Sequence, residues 1–344
     1  MEKLNVGVVG LGKMGLLHAG IYNQLEQCTV VAAAEKDKLT RNLIKTYVPH
    51  TVVYSDYEEM FKRESLDIAV VATPVFLHKP IVESALDANC HVFCEKPFAL
   101  NGDECRAILR DDITKKTQVG YNRRFLETFK MAKRILSESL LGELKFFQSQ
   151  MFETQVLRKE DGWRFDRSKS GGGVVVDLGA HVIDMLHYLV GPLADVHGIG
   201  RAIYSDHVSD YASINLQFVN GLAGSLELSW SLRHYRLPEM RVAMQFGQGT
   251  VTVTEKYIEI YSEADTDLFE RGWHTFRLQN LTTGVPVDLG GPEYTAEDAQ
   301  LLACIQNGDE PLCNFAEAAK ANFVIDAIYK SMDSGEQQAV NYEV

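Results

Sequence analysis

The chain opens with a short β-branched run, LNVGVVG (4–10), which ends in glycine as a strand buried on both faces does. A helical period follows from Met14 to about Leu25, then a second strand-like run, TVVAAAE (29–35), and a polar helix reaching Tyr47. DIAVVAT (67–73) carries no polar interruption; residues 77–88 return to helical period, HVFCE (91–95) to a strand and 103–110 to a helix, and TQVGYN (117–122) closes the series. Strands separated by helices of this length predict a doubly wound parallel sheet, a Rossmann domain over residues 1–121.

After Tyr121 the pattern changes. NRRF leads into a helix over about 126–140, and longer strands follow. SINLQFVNGLAGSLELSWSL (213–232) alternates on both sides of Asn220-Gly221, a strong hairpin signal, and MRVAMQFGQGTVTVTEKYIEIY (240–261) continues in the same period. With helices near 294–307 and 315–333, residues 122–344 read as an α+β domain built on a large open, mainly antiparallel sheet. One face of that sheet is polar and the other apolar. A second copy of the chain is the simplest cover for the open face, which predicts a homodimer or homotetramer.

The first strand and first helix are joined by GLGKMG (10–15), in which Gly10, Gly12 and Gly15 form a G-x-G-x-x-G pattern, with Lys13 and Met14 opening the helix. The pattern alone is weak. Here it follows a strand, opens a helix, and is answered by Glu35, 20 residues past Gly15 at the end of the second strand. Glycines let backbone approach a pyrophosphate, the helix N-terminus supplies unpaired N–H groups, and Glu35 can accept from ribose hydroxyls. The alternative is a glycine turn needed only for packing. Glu35 favours NAD, since a carboxylate repels a 2′-phosphate, while Lys36 beside it leaves NADP possible.

Composition narrows the partners. With 46% apolar and 24% charged residues the chain is that of a soluble globular protein, and a net charge of −13 argues against nucleic acid. No apolar run approaches the ~20 residues that span a bilayer, and no cleavage-site pattern follows the N-terminal stretch, so neither a membrane nor a signal peptide is expected and the cytoplasm is. The six cysteines have no metal-ligand spacing, so no metal is expected either.

In a doubly wound sheet, ligands lie across the carboxyl ends of the strands. Two such ends are unusual: ATPVFLH (72–78), with Thr73, Pro74 and His78, and CEKPFAL (94–100), with Glu95 and Lys96 ahead of a proline. In the second half, SGGGVVVDLGAHVIDMLHYLVG (170–191) reads as a glycine-freed entry to a helix whose Asp177, His181, Asp184 and Tyr188 form a polar stripe opposite an apolar one. Asp177 one turn before His181 can orient its ring and raise its basicity. Taken alone, the pair reads first as a helix-start carboxylate and a hydrogen-bonded core histidine.

GLGKMG, EKP (95–97) and GGGVVVDLGAHVID (171–184) stand in the order and spacing of the glucose–fructose oxidoreductase / inositol dehydrogenase / rhizopine-catabolism (Gfo/Idh/MocA) family, and the chain resembles it over essentially its whole length. The resemblance implies hydride transfer between a nicotinamide and a ring carbon of a sugar, cyclitol or nucleotide sugar. It implies that Lys96 bonds the reacting oxygen and that His181, oriented by Asp177, takes the hydroxyl proton; some members carry tyrosine at the position of His181. It further implies a cis peptide before Pro97, with Glu95 positioning Lys96 or touching the cofactor. Asn122 and Arg123, Trp163 and Arg164 in the loop RKEDGWRFDRSKS (158–170), and Tyr235 beside His234 are candidates for the substrate, the Trp163 ring for stacking on a sugar face. Two rival functions share the fold: a redox-neutral glycosidase using NAD, and a non-catalytic sensor of NAD or sugar.

Overall fold

A computed structural model describes residues 3–47, 50–109, 113–282 and 284–344; Arg110, the expected end of a helix, lies outside them. Cα packing divides the chain into two compact units, one of Met1–Asn122, Gly284–Ala319 and the terminal Val344, the other of Arg123–Thr283 and Lys320–Glu343.

The first unit holds a six-stranded sheet of β1 (Leu4–Val9), β2 (Cys28–Ala34), β3 (Val52–Tyr54), β4 (Ile68–Val71), β5 (His91–Cys94) and β6 (Thr117–Val119), in the order β3-β2-β1-β4-β5-β6. Every pair is parallel. Between them run α1 (Lys13–Gln24), α2 (Lys38–Tyr47), α3 (Tyr57–Arg63), α4 (His78–Asp87) and α5 (Gly102–Ile108). The chain reverses direction across the sheet between β1 and β4, which opens a crevice at their carboxyl ends. Val6, Val8, Ile68, Val70 and Phe93 are fully buried. Ile21 and Tyr22 of α1 join them, as do Leu301 and Leu302 of the helix Pro292–Asn307. Residues 284–319, read from sequence as part of the second domain, therefore complete the core of the first unit; apolar period tells that a helix is buried, not against what. β3 and α3 were not foreseen, because three and seven residues are too few to show a period.

The second unit is built on β7 (Leu144–Phe152), β8 (Leu193–Arg201), β9 (Tyr211–Phe218), β10 (Ala223–Ser229), β11 (Glu239–Phe246), β12 (Gly249–Thr254), β13 (Tyr257–Ser262), β14 (Gly272–Arg277) and β15 (Gln338–Ala339). Their order is β14-β13-β12-β11-β7-β10-β9-β8-β15, with β7 and β10 parallel and the other pairs antiparallel. The expected hairpin is β9–β10, turning at Gly221 with φ +84°. Met240, Val242, Met244 and Phe246 of β11 point into the core while Arg241, Ala243 and Gln245 face away. On that outer face Trp273 is 71% exposed, its ring 5.1 Å from that of Tyr261. Among the described residues, no helix is long and apolar enough to cross a membrane.

Candidate active site

The three glycines between β1 and α1 do different things. Gly10 has φ +88°, and a Cβ there would lie 2.7 Å from the Ala72 carbonyl oxygen. A Cβ at Gly15 would lie 1.8 Å from the Gly10 oxygen, so this glycine lets α1 start against the loop. Gly12 caps α1 without a side-chain bond, and a Cβ there would meet no atom within 4 Å. The Lys13 and Met14 N–H groups of the first turn follow directly on this open position, as an anion cradle requires. Glu35 reaches back to this loop: one carboxylate oxygen accepts from Leu11 N at 2.8 Å and the other from Asp37 N at 2.8 Å. Arg41 is a residue the sequence pattern did not single out. Its Nη1 donates to the carbonyls of Glu35, at 2.7 Å, and Lys36, at 2.5 Å, fixing the chain just past β2.

The ends of β4 and β5 are clamped together. The buried ring of His78 sits between two carbonyl oxygens, Nε2 2.8 Å from Thr73 and Nδ1 2.9 Å from Pro97. Burial lowers its pKa, and in the neutral ring a single nitrogen donates to one of these carbonyls. His78 thus acts on the crevice through the loops it holds. The Thr73 hydroxyl is buried without a partner among the described residues, Pro74 follows it ahead of a 3-10 turn, and the Lys96–Pro97 peptide is cis. Glu95, 8% exposed, accepts from Lys96 N at 3.0 Å through one oxygen. Its other oxygen lies 3.0 Å from His18 Nε2, and His18 Nδ1 lies 2.9 Å from both oxygens of Asp298. Burial opposes charge on His18, but the two carboxylates outweigh it and hold its pKa well above 6.5. Burial likewise pushes Glu95 up, yet the His18 bond and the charges of His18 and Lys96 bring it below its usual value. Asp298, fully buried, is held above its own.

In the second unit, the segment after the three glycines is π-helical over Val175–Gly179 and becomes α-helical over Ala180–Leu189. Asp177 lies in the wide turn and His181 in the first α-turn; π turns are rare and concentrate at functional sites. The expected two-faced helix is instead buried along Ala180–His187, because it is packed beneath the sheet and against the helix Glu127–Ser137. The polar residues of the stripe therefore need buried partners. Asp184 takes the Arg124 guanidinium in two bonds of 2.7 and 2.9 Å, with Arg124 over the Tyr188 ring at 5.4 Å. The glycines serve close packing: Gly173 N donates to Tyr329 Oη at 2.9 Å, and a Cβ at Gly172 would lie 2.0 Å from that oxygen.

Two family models match these two regions. One, described as an oxidoreductase family with an NAD-binding Rossmann fold, matches residues 4–122; the other, the GFO/IDH/MocA C-terminal domain, matches 129–251. The chain belongs to the Gfo/Idh/MocA oxidoreductase family. Myo-inositol 2-dehydrogenase of Thermotoga maritima is 25% identical over 325 residues, 87% of this chain and 92% of that protein. Levoglucosan dehydrogenase of Pseudarthrobacter phenanthrenivorans is 28% identical over 214 residues, 58% of this chain and 54% of that protein. Several curated relatives are likewise matched over about half to two thirds of their own length. Among solved structures, a levoglucosan dehydrogenase in complex with NADH superposes with a TM-score of 0.88 at 22% identity, covering 99% of this chain and 100% of that one. At that identity the likeness is one of fold.

A Rossmann domain of this family binds NAD, and the open space at Gly12, the unpartnered Thr73 hydroxyl and the Glu35 carboxylate beside the loop fit a dinucleotide. The substrate candidates are less uniform. Asn122 is 5% exposed, at the start of a 3-10 turn. Arg123 Nε bonds Glu255 at 3.0 Å, so part of its donor set is spent within the fold. Trp163 is 38% exposed with the Arg164 guanidinium 5.9 Å from its ring centre. Their loop borders a hollow of about 520 Å³ lined by both signs of charge, with Lys159 and Arg167 against Glu160, Asp161, Asp166 and Asp206. Tyr235 packs its ring edge-on to Phe152 at 5.4 Å and anchors its backbone to Thr154. Sequence reasoning missed His18 and Asp298: a single histidine in a helix gives no signal, and the one cue was a carboxylate three and four positions from Leu301 and Leu302, on the buried side of its helix.

Proposed function

We propose that the chain is an NAD-dependent dehydrogenase that moves a hydride between nicotinamide and a ring-carbon hydroxyl of a sugar, cyclitol or nucleotide sugar, with NADP as a possible second cofactor. The observation that carries it is the pairing, within one unit, of an open cradle at Gly12 with a lysine whose backbone is held at the end of β5, two strands along the sheet from β1. The bound nicotinamide supplies the hydride acceptor. Oxidising a secondary alcohol also needs a base for the O–H proton and a donor for the developing oxyanion. Lys96 is the donor. His181 is the base and Asp177 its orienting carboxylate, roles that follow from the family's D-x-x-x-H motif. Glu35 takes the ribose hydroxyls, with Lys36 beside it, and Thr73, Pro74, His78 and Glu95 shape the nicotinamide side. Asn122, Arg123, Trp163, Arg164 and Tyr235 contact substrate, the half-exposed Trp163 ring by stacking. Relatives named for myo-inositol and levoglucosan support the substrate class. The exposed Trp273 and Tyr261 support a homodimer or homotetramer through the open sheet, and six buried free thiols suit the reducing cytoplasm.

The test is nicotinamide reduction by the purified protein, pairing NAD and NADP with myo-inositol, hexoses, anhydrosugars, sugar acids and nucleotide sugars. Turnover confined to one substrate class is expected, with NAD preferred. Silence across the panel by a protein that binds NADH would remove net oxidation as its function.

A further inference from the structure

We propose that His18 is a positioning residue for Lys96, acting through Glu95. Its effect on turnover rests on the dehydrogenase reading above; the positioning itself does not. His18 lies in α1, one turn beyond Gly15, and is 0% exposed. Its two ring nitrogens face carboxylates on opposite sides, Nδ1 at 2.9 Å from Asp298 and Nε2 at 3.0 Å from Glu95. Between two ionised carboxylates, which only accept, a neutral imidazole with its one N–H can make one of these bonds, and an imidazolium makes both.

That charge decides what Glu95 does. Its Oε1 is held by the ring, which leaves Oε2 to accept the Lys96 N–H at 3.0 Å. The floor is tight there, for a Cβ at Gly120 would lie 3.2 Å from the same Oε2. The Phe93 ring at 4.6 Å and the Tyr294 ring at 6.4 Å wall off His18, and Tyr22 stands beside Asp298. In such a dry setting charge-assisted bonds are strong and directional. The relay joins three elements: the helix Pro292–Asn307, the helix that starts at the cofactor loop, and the end of β5. The Lys96 backbone is thereby tied to α1 by a chain of bonds.

The experiment compares wild type, His18→Asn and His18→Gln by three readouts. The first is the amide shift and hydrogen exchange of Lys96 by NMR. The second is NADH affinity by fluorescence, and the third is kcat on whichever substrate the wild type turns over. His18→Asn is too short to reach Glu95; it should speed Lys96 amide exchange by ~10-fold or more and lower kcat ~10²-fold, the scale of an ångström of misplacement, with NADH affinity within about twofold. His18→Gln keeps a donor toward Glu95 and should restore part of both losses. Variants that melt lower but keep the Lys96 amide and kcat of the wild type would overturn the proposal and leave the relay purely structural. A wild type that turns over nothing defeats the dehydrogenase reading, while the Lys96 amide still judges the positioning. Should neither variant fold, the ¹⁵N shifts of the wild-type ring decide: two protonated nitrogens at about pH 8 support it, and a neutral ring sinks it.

Discussion

Replacing Gly12 with alanine separates dinucleotide binding from the stability of the loop that performs it. Gly12 has φ −69° and ψ −171°, a conformation open to any L-residue, and its absent Cβ would meet no atom within 4 Å. The free protein should therefore accept the methyl with a loss of no more than ~1 kcal/mol, the scale for alanine at an N-cap, or about 3 °C in Tm. The same methyl takes up space through which the loop backbone approaches a pyrophosphate in a Rossmann domain. Displacing one charge-assisted bond to a phosphate forfeits ~1.5–3 kcal/mol, which weakens NADH binding ~10- to 150-fold. Gly15→Ala is the control: its Cβ would lie 1.8 Å from the Gly10 oxygen, so the backbone has to move, at ~1–3 kcal/mol or more. Thermal melts and NADH fluorescence titrations on both variants make the comparison. The reasoning fails if Gly12→Ala binds NADH within twofold of the wild type, or if it melts as low as Gly15→Ala.

Lys96→Ala and His181→Ala should each cut turnover by ~10²-fold or more with NADH affinity nearly intact, and unchanged steady-state turnover in either would remove that residue from the mechanism. Asp184→Asn breaks a buried pair whose carbons and charges are almost wholly screened from water, Arg124 and Asp184 each being 2% exposed. It should lower unfolding free energy by ~3–5 kcal/mol in urea, and a loss under about 1 kcal/mol would refute the account. His187 is held neutral by burial, then by the Arg124 and Lys320 charges, which bring its pKa down to about 3; its Nε2 lies 3.0 Å from the Tyr342 hydroxyl. A depressed histidine contributes stability that is fully present above its unfolded pKa of ~6.5 and is lost as pH falls toward 3, roughly 2 kcal/mol by pH 5. His187→Phe should flatten the urea midpoint between pH 7 and 5, and parallel profiles for the two proteins would exclude this source of acid sensitivity.

The parallel sheet was legible because its strands are buried on both faces and so write themselves as unbroken apolar runs, Ile68–Val71 most plainly. β8 was not, since His197, Gly198 and Gly200 break its alternation, and the glycines there make room for Ile328 and Met332 of the last helix, a contact no local pattern announces. The same division holds at the site. Gly10, Gly12, Gly15 and Lys96 stand out because glycine spacing and a charge at a buried strand end have few other uses. Asp184 was visible as part of a polar stripe, but its partner, Arg124, lies 60 positions away. The π turn at Val175–Gly179 also shifts the helical phase on which that stripe was drawn.

What the sequence conceals is how far the first unit depends on residues near the end of the chain. Val119 N donates to Cys313 O at 2.9 Å and Phe315 N to Thr117 Oγ1 at 3.2 Å, so the β6 edge is closed by residues up to 198 positions away. Gln118, fully buried, donates to the Glu297 carbonyl at 2.9 Å, and Leu301 and Leu302 cover Ile21 and Tyr22. A unit cut after residue 122 would expose that apolar face and leave a buried amide unpaired, penalties that a Rossmann sheet of this size cannot absorb when whole domains are stable by ~5–15 kcal/mol. Asp298 arrives on the same returning helix. The segment that completes the core is thus also the one that brings a carboxylate to His18, and the environment of Glu95 at the β5 end is set by the last third of the chain.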